Sequence, residues 1–336
     1  MVAIGTEPHA PKKGRRLWRW LKMLLVGVGA LIAVLVTAGG IYQTISANQD
    51  AKRFHPPGRL VSLGGYSLHL LCTGDSNADD YTVVLESGAG GTTSSWVRIQ
   101  NAVAEFARVC SYDRGGIGWS DPSPEPRDAL SIAMELHELL NRGGVRGRLI
   151  FVGHSSGGVY VRAFQRLYPE RVAGLALLDA SHEEQFTRTQ QGRSAYRMIK
   201  NAYRISSFVA RFGLARLTAI CDLADLPEPQ RAEFHALCSR PSYWAAQARE
   251  VEALQAGMDQ IRDKPGLDSL PLIVITAGND PQNLENWPEL QDELAELSTA
   301  SVHIVRSSAT HPGLVTDPNE AKVVSDAIAT LLASLR

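Results

Sequence analysis

Residues 149–158 read Leu-Ile-Phe-Val-Gly-His-Ser-Ser-Gly-Gly, and no other stretch limits the fold of this chain so strongly. A short apolar run meets a glycine, and the helix-like segment 159–168 follows at once. A brief run with no polar alternation reads as a strand buried on both faces, as in a covered parallel sheet. Passing from such a strand directly into a helix takes a very sharp turn. Only small residues fit around the serine at its tip, hence Gly153 and Gly157. The turn lifts the Ser155 hydroxyl out of the sheet and aims the Ser156 backbone N–H at the same point, the geometry of a G-x-S-x-G nucleophile elbow. Glycine and serine are common in turns, so the motif takes its weight from the strand before it and the helix after it.

Other segments repeat the alternation of strand and helix. Residues 59–63 and 66–73, joined by Gly64-Gly65, read as a hairpin. Residues 82–86 form an apolar run ending in Ser87-Gly88-Ala89-Gly90-Gly91, and 94–106 carry Trp96, Ile99, Val103 and Phe106 at helical spacing. Strand 108–112 leads into the loop 113–120, and the amphipathic helix 128–141 precedes the elbow strand. Then come strand 174–178 ending at Asp179, strands 271–276 and 301–305, and a closing helix over 319–335. This alternation predicts an α/β fold with a mainly parallel, doubly wound sheet.

The chain resembles the α/β-hydrolase family from about residue 59 to the C-terminus, and its signals fall in that fold's order. The resemblance rests on the glycine-rich turn after the third strand, the Tyr-Asp-Arg-Gly-Gly-Ile-Gly-Trp-Ser loop after the fourth, Gly-His-Ser-Ser-Gly after the fifth, and a late histidine. It implies an eight-stranded sheet in the order 1-2-4-3-5-6-7-8, helices on both faces, and a lid inserted after strand six. The insertion covers about residues 182–268, with helix-like stretches at 194–208 and 242–261. Tyr196, Tyr203, Phe208, Phe212 and Trp244 within it could line a pocket, although aromatics at helical spacing more often form plain core.

A serine hydroxyl needs a base, an orienting acid and donors for the developing oxyanion. In the order serine, acid, histidine the base is His311, in the loop 307–312 after the last strand. His303 sits inside an apolar run, and His69 and His137 fall in a strand and a helix, where structural roles are expected. By resemblance, Asp280 after the seventh strand occupies the family's acid position and is favoured. The usual glycine there is replaced by Ala277, with Gly278 one place later, and Asp179 after strand six is the alternative acid. The oxyanion hole would pair the N–H groups of Ala89 and Ser156, with Ser87 standing where the family's H-G-x-G turn has histidine. Asp113 and Arg114 read as an internal ion pair.

The N-terminus has a composition of its own. Lys12, Lys13, Arg15, Arg16, Arg19 and Lys22 precede residues 23–45, a run without a charged side chain. At about 1.5 Å per residue this run is long enough to cross a bilayer core of about 30 Å. The basic flank keeps residues 1–22 cytoplasmic under the positive-inside rule and sends the catalytic domain to the extracytoplasmic side. A cleaved signal peptide, ending near Val36-Thr37-Ala38 and giving a secreted protein, is the alternative. Residues 46–58, with Pro56-Pro57, read as a linker to a hydrolase domain over 59–336.

The chain is 336 residues long with a formal charge of −1, which gives no reason to expect nucleic acid as a partner. The four cysteines lack metal-binding spacing, and neither a metal nor a cofactor is implied. In the hydrolase strand order Cys72 and Cys110 lie on neighbouring strands and can pair if they are level, and Cys221 with Cys238 would staple the lid. Four buried thiols are the alternative if the domain is cytoplasmic. The expected activity is that of a membrane-anchored carboxylesterase acting on a small-molecule or lipid-like ester. Lipase, peptidase, thioesterase or acyltransferase chemistry on the same fold, and a non-catalytic binding module, stand as alternatives.

Overall fold

The computed structural model describes residues 13–75, 81–262, 266–279 and 284–336. Eight strands, β1 (Arg59–Ser62), β2 (Ser67–Thr73), β3 (Tyr81–Glu86), β4 (Arg108–Tyr112), β5 (Arg148–His154), β6 (Val172–Leu178), β7 (Leu272–Ala277) and β8 (Ser301–Arg306), form one sheet. Their order is β1-β2-β4-β3-β5-β6-β7-β8, as the resemblance implied. Only β2 runs antiparallel to its neighbours; the pairings that join β4, β3 and β5 through β8 are all parallel. β6 and β7 are buried along their whole length, which is why their sequences carry apolar runs rather than alternation.

Side chains alternate across the sheet and feed two cores. Phe151 of β5 packs on one face with Leu136 and Phe164, from helices α3 (Ala129–Arg142) and α4 (Gly157–Leu167). Val152, the next residue, packs on the other with Ile99 and Ile328, from α2 (Val97–Ala104) and α10 (Pro318–Ala333). α3 starts where Asp128 caps it, the carboxylate accepting from Ser131 N at 3.1 Å.

The segment between β6 and β7 is helical, with α5 (Gln190–Val209), α6 (Leu214–Leu217), α7 (Gln230–Cys238) and α8 (Pro241–Ile261). It has a small core of its own around Phe234, Tyr243 and Trp244, joined to the sheet loops through Ile117. A disulfide between Cys221 and Cys238 lies within it. A second links Cys72 to Cys110, which face each other in the β2–β4 register.

Helix α1 (Lys13–Arg53) is longer than the apolar run alone. The linker expected over 46–58 is helical through Arg53, because residues 46–53 contain neither glycine nor proline and Pro56-Pro57 come only later. By length and composition, α1 from Leu17 is sufficient to cross a membrane. Its large apolar side chains, among them Leu24, Leu25, Leu31 and Leu35, are exposed. Near its C-terminal end it packs on the lid.

Candidate active site

β5 ends at His154 and α4 begins at Gly157, so Ser155 and Ser156 are the turn itself. Ser155 has φ of +55°, a region that costs a residue with a side chain about 1–3 kcal/mol and persists only where its surroundings enforce it. They do so through three backbone bonds. Ser155 N donates to Leu178 O at 3.1 Å, and Ser155 O accepts from Gly158 N at 3.0 Å and Ser181 N at 2.9 Å. Asp179, with φ of +43°, is strained in the same way one residue beyond β6.

The structure brings Asp179 to His311. Oδ2 of Asp179 lies 2.6 Å from His311 Nδ1, while Oδ1 accepts from Ala277 N at 3.1 Å and Trp287 Nε1 at 2.8 Å. The carboxylate is fully buried and held on both oxygens, so it has one orientation. Asp280, the acid favoured from the sequence, lies outside the described residues. Trp287, which opens α9 (Trp287–Ala295), had no mark in the sequence as a site residue. His154 contributes a further constraint: its Nε2 donates to the His311 carbonyl oxygen at 2.9 Å, and the two rings lie 4.5 Å apart. Burial, with His311 beside it, pushes His154 down to about 3, so the ring is neutral and serves as a strut for the His311 loop.

The turn after β3 is clamped from outside. Arg114, fully buried, spends all five N–H groups there and on two carboxylates. It donates to Ser87 O at 2.6 Å, Gly88 O at 2.9 Å, Glu86 Oε1 at 2.7 Å, and both Glu250 oxygens at 3.0 and 2.9 Å. Ser87 Oγ accepts from Trp96 Nε1 at 2.7 Å, and Tyr243 Oη donates to Gly90 O at 2.6 Å. With three of its carbonyls engaged from behind, the turn is a rigid piece of backbone. Gly88 touches the elbow: a Cβ there would lie 2.7 Å from Ser155 Cβ. Asp113 and Arg114 do not pair with each other: Arg114 forms buried ion pairs with Glu86 and Glu250, while Asp113 Oδ2 accepts a hydrogen bond from His69 Nδ1 at 2.9 Å.

Above these groups lies a cavity of about 380 Å³. Gly88, Ala89, His154 and His311 line it on the sheet side, and Tyr203 and Trp244 on the lid side. The other aromatics considered from sequence are elsewhere: Tyr196 stacks on Phe186, and Phe208 and Phe212 meet each other edge to face. Ser156 is buried beside the serine, at the N-terminal end of α4, where the helix dipole favours negative charge. The other histidines weighed as candidate bases have structural partners. His303 lies 2.8 Å from Thr276 Oγ1, and His137 stacks on Tyr168.

Known proteins resemble the chain in the same terms. A thermophilic esterase from Thermogutta terrifontis superposes with a TM-score of 0.59 at 22% identity, covering 82% of this chain and 97% of its own. The enol-lactonase from Burkholderia xenovorans LB400 gives 0.61 at 19%, covering 82% of this chain and 100% of its own. At these identities the likeness is one of fold. An uncharacterised protein of Schizosaccharomyces pombe is 23% identical over 294 residues, which are 78% of this chain and 53% of that protein. The chain thus spans about half the length of that relative. The family model for the alpha/beta hydrolase fold matches residues 81–281, more than half of the chain, and with the strand order and the elbow already described the chain belongs to the α/β-hydrolase family.

Proposed function

We propose that this hydrolase is a membrane-anchored serine esterase working through an acyl-enzyme. The observation that carries the reading is the 2.6 Å contact between His311 Nδ1 and the buried, doubly held carboxylate of Asp179. A carboxylate on Nδ1 leaves Nε2 as the basic nitrogen, the arrangement a hydroxyl nucleophile requires. Ser155 attacks the ester carbonyl carbon while His311 takes its proton. The alkoxide of the tetrahedral intermediate is stabilised by the N–H groups of Ala89 and Ser156, and its collapse expels the alcohol, protonated by His311. Water, activated by the same histidine, then releases the acid and regenerates Ser155. Asp179 replaces Asp280 as the orienting acid in this scheme.

The mostly apolar cavity suits an apolar acyl or alcohol group, since such walls bind by area and a few polar groups fix orientation. Helix α1 is the anchor in this reading, with its basic N-terminal flank in the cytoplasm and the hydrolase domain across the membrane. Two disulfides accord with an oxidising compartment there. The test is labelling with a fluorophosphonate probe. The full-length protein should react, and Ser155→Ala should lose labelling and ester turnover together while keeping its circular dichroism. Labelling of Ser155→Ala at the level of the parent would refute the assignment.

A further inference from the structure

Helix α5 is one-sided in a way that packing does not explain. Met198, Ile205 and Phe208 follow helical spacing along its outer side, and all three are more than half exposed. Leu214, Leu217 and Ile220, in the segment that follows, extend the same apolar cover, and each is also exposed. The twenty residues of α5 contain no acidic side chain, and Arg193, Arg197 and Arg204 stand exposed on it. An apolar stripe on a helix whose charged residues are all basic, Lys200 being the fourth, is the composition of a helix that lies in a membrane interface.

The position of α1 says which membrane surface this is. Gln43 of α1 is buried against the lid, its Nε2 donating to Ser239 O at 2.9 Å and its Oε1 accepting from Arg216 Nε at 2.9 Å. Arg216 also reaches Asp50 at 2.6 Å. Deeper in the apolar run, Gly39 packs so closely that a Cβ there would lie 2.5 Å from Phe212 O. Phe212 in turn meets Phe208 of α5, with ring centroids 5.4 Å apart. Gly39 precedes Ile45, the last residue of the uncharged run, by six residues, or about 9 Å of helix. The lid therefore touches α1 below the upper end of its apolar span, at about the 5–10 Å depth to which interfacial helices sink. The cavity reaches this same surface, for the exposed Ala202 and Ile220, with Ser206, are among its lining residues.

We infer that the outer face of the lid, from Met198 to Ile220, is a second contact with the bilayer, and that the catalytic cavity opens onto it so that the substrate is a lipid ester drawn directly from the membrane. This inference rests on the esterase and anchor readings above and extends them to a substrate class and an entry route. Burial of the lid face in lipid removes from water the apolar side chains that the fold leaves exposed, and a substrate entering there never crosses the aqueous phase.

The test uses the full chain reconstituted in nanodiscs. Hydroxyl-radical footprinting should modify Met198 at least fivefold more slowly than Met134, an exposed methionine of α3 that serves as the internal reference. Equal rates would overturn the membrane contact. In parallel, the triple variant Ile205→Ser, Phe208→Ser, Leu217→Ser, none of them a cavity residue, is compared with the parent on two substrates. Its kcat/KM for a water-soluble short-chain ester should stay within twofold, while turnover of a fluorogenic diacyl lipid embedded in the disc should fall at least tenfold. Equal effects on the two esters, or none on either, would overturn the entry route. A parent protein that hydrolyses neither ester refutes the esterase reading and the route with it, whereas the footprint of Met198 still decides the contact.

Discussion

Five buried ionisable side chains behind the active site make a prediction that depends on counting charge. Arg114 pairs with Glu86 and Glu250, Arg127 pairs with Glu250 and Glu135, and none of the five is more than slightly exposed. Two cations against three carboxylates leave a net −1 if all are ionised, so one carboxyl should keep its proton more firmly than usual. Glu86 is that group. Burial, with Glu250 nearby, pushes it from its ordinary 4.5 up to about 7, against the opposing pull of Arg114 and Tyr112. Burial opposes ionisation of Glu250 as well, but Arg114 and Arg127 outweigh it and hold that carboxyl low. A carboxyl whose folded value exceeds its unfolded one binds more protons in the native state, so stability falls as pH rises from 4.5 through about 7. At about 1.4 kcal/mol per pH unit the full loss is about 3 kcal/mol, a sizeable part of the 5–15 kcal/mol that holds a typical protein folded. Glu86→Gln copies the protonated acid and can keep the bonds to Arg114 and to Tyr112, whose hydroxyl can rotate to accept. The variant should therefore lack this slope. Urea unfolding of both proteins in detergent, followed by tryptophan fluorescence between pH 4.5 and 8, should show the variant gaining about 3 kcal/mol on the parent across that range. His154, held near 3, loses stability in the other direction as pH falls from its ordinary 6.5, but it does so in both proteins and cancels in the difference. Parallel stability curves would refute the charge count.

Two further substitutions test the site. Asp179→Asn should lower kcat on a soluble ester by about 10⁴-fold, the loss seen when the acid of the best-studied triad is made an amide, and a fall of less than tenfold would return the role to Asp280. Gly88→Ala should cut kcat/KM by about 100-fold, because its Cβ would sit 2.7 Å from Ser155 Cβ and 3.2 Å from His154 Nδ1, forcing the elbow or the turn to shift. Kinetics unchanged from the parent would mean that the two segments can part without harm.

The sheet was legible in the sequence because its signals are local. β5, β6 and β7 are buried on both faces, so each announces itself as a short apolar run, and the elbow needs glycines on either side of Ser155 whatever the rest of the chain does. The last two turns of α1, residues 46–53, were less so. Pro56-Pro57 invite a linker, yet a helix already started continues until something stops it, and its last turns gain from Gln43 and Asp50 packing on Arg216, contacts far apart in sequence. The clamp on the turn after β3 was hidden for the same reason. Arg114 follows a strand in a recognisable loop, but its partner Glu250 lies 136 residues away on α8.

The acid is the instructive case, because chain order admits two aspartates, and what favours Asp179 in the proposed scheme is its three-dimensional support. A residue that orients an imidazole must itself be immobile, and immobility comes from its partners rather than from its place in the chain. Asp179 has them: Ala277 N and Trp287 Nε1 fix one oxygen, Ile275 O takes its backbone N–H at 2.7 Å, and the strained φ of +43° keeps its side chain turned toward the end of β7. Ala277 stands where the glycine is expected in that turn, with Gly278 one place later. In the sequence it looked like a departure that put the turn in doubt, whereas in the fold its N–H is one of the two donors that hold the Asp179 carboxylate. Both donors come from residues with no catalytic chemistry, an alanine at a strand end and a tryptophan at a helix start, so no search for reactive side chains would have found them. The strain at Asp179 matches that at Ser155, and the two are adjacent, since Ser155 N bonds to Leu178 O and Ser155 O accepts from Ser181 N. In the proposed scheme the nucleophile and the acid therefore stand on adjoining turns, Ser155 bonded to both sides of Asp179 through Leu178 O and Ser181 N, and Asp179 tied in turn to the end of β7 through Ile275 O and Ala277 N.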